Sequence, residues 1–90
     1  MKSPRPDTGP LLTEHVRRWT SERGATQADL ARLAGLTPIE LSRYCRGRRV
    51  LRPDGEAIRT FALIFGWTPA QYREMAIAAG CDPAMFGRAP

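Results

Sequence analysis

Histidine occurs once in the 90 residues, as His15, and cysteine twice, as Cys45 and Cys81, which stand far apart and form no CxxC pair. One imidazole and two scattered thiols are too few, and too widely spaced, to build a metal centre or a disulfide framework. A glycine-rich phosphate loop and a nucleophile elbow are both missing, so an enzyme has no motif to start from. No apolar run approaches the ~18 residues that a membrane span needs. Lys2 and Arg5 stand in "MKSPRPDTGP", where prolines and a glycine replace the apolar stretch of a secretory signal. Strand-like alternation is absent as well. The expectation is a cytoplasmic, non-enzymatic chain of one domain, without metal or cofactor and without a membrane anchor.

The charge is unevenly placed. The formal net charge is +5. Residues 1–42 carry a net of +1 and residues 53–90 a net of −1, whereas "RYCRGRRVLR", residues 43–52, holds five arginines and no acid. The whole excess therefore lies in one short window. A focused basic patch suits a polyanion, although such a run can equally be a solvated loop.

Helical periodicity accounts for most of the chain. Residues 1–10 hold three prolines and a glycine and read as a flexible arm. Leu12, Val16 and Trp19 then fall on one helical face, and Gly24 ends that helix. Thr26 is the N-cap of a second helix, with Asp29 at N3 and Leu30, Ala31 and Ala34 facing inward. Gly35 turns the chain. Thr37 caps a third helix, with Pro38 at N1, Glu40 at N3 and a hydrophobic staple of Leu36 and Leu41. Gly47 ends it. A basic loop follows, then a fourth helix from about Asp54 with Ile58, Phe61, Ala62 and Phe65 inward. Gly66 closes that helix. Thr68, Pro69 and Gln71 repeat the start signal for a fifth, with Trp67 and Tyr72 as its staple and Tyr72, Met75, Ala76 and Ala79 as its stripe. The class is all-α, a compact bundle of five helices. The helical domain covers residues 11–80 and the tail 81–90, in which Met85 and Phe86 offer a partner surface or fold back on the core. His15 beside the first stripe reads as a helix-surface residue.

The second and third helices are joined by about three residues, 35–37, which forces a steep crossing of the helix-turn-helix kind. Ala31 sits at that crossing, where a larger side chain would push the helices apart. This pattern, "TQADLARLAGLT" followed by "ELSRYCRGRR" and "PDGEAIRTFALIFGW", resembles the Cro/phage-repressor family of regulators, the XRE type, with a lambda-repressor-like fold. The resemblance covers about residues 11–72. It departs from many members at Cys45, where a Glu is common, often opposite an Arg at the position of Thr20. Losing one such charge alone would strand the other, at roughly 3–5 kcal/mol, whereas losing both together is close to neutral.

In that family the outer face of the third helix enters the major groove. Here it carries Ile39, Ser42, Arg43 and Arg46, with Pro38 at its N-terminal edge. Arg43 is the foremost base reader, because a guanidinium can bond guanine O6 and N7 together. Ile39 suits either a thymine methyl or a neighbouring helix. Ser42 permits close approach, and Glu40 could accept from cytosine N4, although capping explains it sufficiently. The resemblance places Gln27 on backbone phosphate. Thr26, Thr37, Arg46, Arg48, Arg49 and Arg52 join it as backbone candidates, with Arg5 a weaker one. These residues imply a regulator of transcription that binds double-stranded DNA. Repression by a homodimer on a palindromic operator leads, with dimer contacts on the fifth helix and the tail. The alternatives are an antitoxin-like protein neutraliser that also autoregulates through DNA, its protein partner held by residues 81–90, and an RNA-binding or architectural protein that reads no base.

Overall fold

The computed structural model describes residues 7–81. Its helices are α1 (Gly9–Arg23), α2 (Gln27–Leu33), α3 (Pro38–Cys45), α4 (Glu56–Phe65) and α5 (Pro69–Ala78), and the described residues contain no strand. The all-α, five-helix expectation holds.

The starts of α2, α3 and α5 are built by the same device. The hydroxyls of Thr26, Thr37 and Thr68 accept from the backbone N–H groups of Asp29, Glu40 and Gln71, whose side chains accept in return from the N-cap N–H. Pro38 and Pro69 occupy the first turn, where the missing N–H is not needed. Gly35 turns the chain with φ +71°, a backbone region that side chains with a Cβ avoid. It lets α2 and α3 meet at once, with Ala31 fully buried at the join.

α1, α2 and α3 pack on one another. Leu12, Val16 and Trp19 meet Leu30, Ala31, Leu41 and Tyr44, and Ile58, Phe61, Met75 and Ala76 close the core from the other helices. Most residues of the stripes read from periodicity are buried, while Ala34, Ala62, Phe65 and Tyr72 are only partly so. α4 begins at Glu56 behind Gly55, two residues later than Asp54.

The N-terminal side departs from expectation. Residues 1–6 lie outside the described residues, but residues 7–10 are not an arm. Gly9 and Pro10 form the first turn of α1, since proline at a helix start is favoured rather than forbidden. The Asp7 carboxylate accepts from Gly9 N–H at 2.9 Å, and Asp7 N–H donates to the Ala78 carbonyl at 3.0 Å. Thr8 is fully buried, and its hydroxyl accepts from Leu51 N–H at 3.3 Å. Leu51, in what reads as a basic loop, is 1% exposed and belongs to the core. At the other end Cys81 packs against the core, while residues 82–90, with Met85 and Phe86, lie outside the described residues.

His15 is a second correction. It is half-buried, not a plain surface residue, because its ring stacks on Phe65 (centroids 5.5 Å apart) and meets Trp67 at 5.1 Å. Burial, reinforced by Arg18, holds its pKa below the ordinary 6.5 against the opposing pull of Glu74 and Glu14. The unfolded chain therefore takes up a proton first as pH falls. The stabilisation from neutral His15 is complete above 6.5 and is lost as pH drops below that value through the folded pKa. We predict that a shift from about pH 7.5 to about 5.5 lowers the wild-type melting temperature more than that of His15→Phe, which keeps the ring and removes the titration. Equal shifts in the two proteins would refute this.

Candidate nucleic-acid interface

The geometry of α3 separates two faces. Leu41 is fully buried and Tyr44 is 6% exposed, its ring edge-on to Phe61 at 6.3 Å. Cys45 is half-buried, and burial raises its thiol pKa, only partly offset by the Thr13 hydroxyl. The Thr13 hydroxyl also donates to the Cys45 carbonyl at 3.0 Å, which ties α1 to the end of α3. Thr20 donates within its own helix to the carbonyls of Val16 and Arg17. The two positions that would hold an ion pair are thus filled by neutral groups with other bonds.

Among the described residues the outer face is open. Pro38, Ile39, Ser42, Arg43, Arg46 and Arg48 line one depression of about 480 Å³. This brings together four of the five base-reading candidates and two of the backbone candidates. Ile39 keeps 65% of its surface exposed, so packing on a neighbouring helix does not explain it. Arg43, Arg46 and Arg48 make no ion pair among the described residues. Three guanidiniums without an ion pair among the described residues make this surface positive.

The other candidates are placed differently. Glu40 has one oxygen on the Thr37 N–H at 3.0 Å and the other 3.6 Å from Arg49. The Thr37 bonds, and then Arg49 and Arg43, hold its carboxyl below the usual carboxylate range. Arg49 and Arg52 line a separate cleft with Tyr44 and Asp54, and Arg52 lies 3.8 Å from Asp54. Thr26, Gln27 and Thr37 are exposed at the starts of their helices. The two threonine hydroxyls accept from the backbone N–H groups of Asp29 and Glu40. Arg5 lies outside the described residues.

Thr8, Gly9, Thr13 and Leu51, which hold the C-terminal end of α3 and its loop in place, escape the sequence reading. The one signal for Leu51 was an apolar pair, Val50 and Leu51, set among arginines.

Comparison with known proteins agrees with this geometry. The sequence model of a family described as helix-turn-helix domain matches residues 11–75, from the first turns of α1 into α5. No curated protein and no solved structure matches the chain. The matched span contains the α2–α3 corner, the capped α3 and the open outer face. This chain belongs to the helix-turn-helix domain family, consistent with its XRE-type resemblance and with a module that binds DNA.

Proposed function

We propose that this chain is a sequence-specific regulator of transcription that binds double-stranded DNA and represses as a homodimer on a palindromic operator. The observation that carries it is the outer face of α3, which no other described residue covers and which is lined by Arg43, Arg46 and Arg48, none of them ion-paired among the described residues. A helix braced on its inner side and free on its outer side fits the major groove. Arg43 reads a guanine, Ile39 meets a thymine methyl and Ser42 and Pro38 allow close approach. Thr26, Gln27, Thr37, Arg46, Arg48 and Arg52 hold the backbone. The body measures 38 × 32 × 20 Å. Two copies centred one helical turn apart, about 34 Å, would therefore meet side by side. One short reading helix gives limited affinity, and a two-fold pair remedies that. Polymerase is then blocked by occupancy.

Selection of bound duplexes from a random pool, with mass measurement in solution, tests this reading. A palindromic consensus and a dimer mass are expected. Recovery of random sequence with a steep salt dependence would point to an architectural binder and refute sequence reading. Within the same series, Arg48→Ala should weaken binding to enriched and random duplexes alike and reduce the slope of log affinity against log salt by about one. An unchanged slope would remove Arg48 from the backbone contacts.

A further inference from the structure

Arg49 differs from the other arginines of its window in what already holds it. Its guanidinium lies 3.6 Å from the Glu40 carboxylate and 5.2 Å above the Tyr44 ring. The backbone N–H groups of Arg48 and Arg49 both donate to the Arg43 carbonyl, at 3.0 and 3.3 Å. Glu40 in turn bonds the Thr37 N–H with its other oxygen. A single carboxylate thus links the first turn of α3 to the loop beyond its last turn. Tyr44, beneath the guanidinium, is anchored in the core against Phe61. An isolated exposed ion pair contributes little, but here it closes a frame whose other members are a buried ring and two backbone hydrogen bonds. A phosphate would compete with the carboxylate and the ring for the same Arg49 guanidinium. Arg46 and Arg48 have no such ties among the described residues.

We infer that Arg49 is a positioning residue and not a phosphate contact: through Glu40 and Tyr44 it sets the path of residues 46–50, and so aims Arg46 and Arg48 at the duplex that Arg43 reads. This rests on the DNA-binding reading above. It also gives Glu40 a role in place of base contact.

The chain supplies its own clean substitution. Gln71 stands at N3 of α5 and makes both capping bonds with Thr68, at 2.9 and 3.2 Å, so Glu40→Gln should keep the cap and lose only the ion pair. Arg49→Met keeps an apolar stem over Tyr44 without the charge. The probes are a duplex enriched by the wild-type chain and a scrambled duplex, titrated across salt well below each variant's melting temperature. Each single variant should bind the enriched duplex about three- to tenfold more weakly, and the double variant no more weakly than Arg49→Met alone, because the residues act as a pair. The salt slope should stay within about 0.3 of wild type, where loss of a phosphate contact would reduce it by about 0.9. A slope reduced by that amount in Arg49→Met, tighter binding by Glu40→Gln, or wild-type affinity in both would each overturn the assignment. If the wild-type chain enriches no duplex, the DNA reading falls and this inference with it. If it does enrich one and Arg49→Met flattens the slope as Arg48→Ala does, only the role of Arg49 falls.

Discussion

Gly9→Ala should destabilise the fold by about 2 kcal/mol and lower its melting midpoint by about 8–16 °C. The sign is the informative part. On helix propensity alone, alanine in place of glycine would stabilise by about 0.5–1 kcal/mol. The opposite is expected because a Cβ at position 9 would lie 2.9 Å from the Cys45 carbonyl oxygen and 2.9 Å from the Gly47 backbone nitrogen. Both are main-chain atoms and cannot swing aside as a flexible side chain can. The start of α1 must then separate from the end of α3, which also strains the Thr8–Leu51 and Thr13–Cys45 bonds. Thermal unfolding followed by circular dichroism measures the effect. A melting temperature at or above wild type would mean that α1 does not approach α3 so closely, and the account of how α3 is held would be wrong.

Arg43→Ala should abolish discrimination at one base pair in each half-site. The expected loss is about 1–3 kcal/mol, or about 5–150-fold between the preferred base and the others. Arg43 is exposed, makes no ion pair among the described residues and sits with Ile39 and Ser42 on the open face. Repeating the duplex selection with the variant should give the wild-type consensus with one degenerate position per half-site. If the consensus is unchanged while affinity for all duplexes falls and the salt slope flattens, Arg43 contacts phosphate and another residue reads the base.

What the sequence discloses and what it hides divide along contact distance. The start of α3 is legible in "GLTPIEL" because its parts lie within a few residues: Leu36 and Leu41, the Thr37 hydroxyl, Pro38 at the first turn and Glu40 at N3. The same holds for "WTPAQY" at α5. The outer face of α3 follows from its period, so Pro38, Ile39, Ser42, Arg43 and Arg46 are nameable without coordinates, whereas Arg48 joins them only through the fold of the loop. Thr8 and Leu51 are 43 residues apart, and neither belongs to a periodic segment, so nothing local announces their bond. Prolines and a glycine before α1 read as a break, although proline in a first turn is also a start signal, and here it is one. Glu40 and Arg49 are separated by the end of a helix, so helical spacing does not pair them. The split of the five window arginines into two clefts is for that reason a property of the folded loop and not of the charge count.

The amide of Asp7 and the carbonyl of Ala78 lie 3.0 Å apart. The described polypeptide thus comes back to where it set out, closing to within a single hydrogen bond. A splice of a few residues across that gap would make a ring, which could be reopened at an exposed corner such as Gly24 with every helix keeping its neighbours. The order in which the helices are encoded is accordingly less constrained than their arrangement in space.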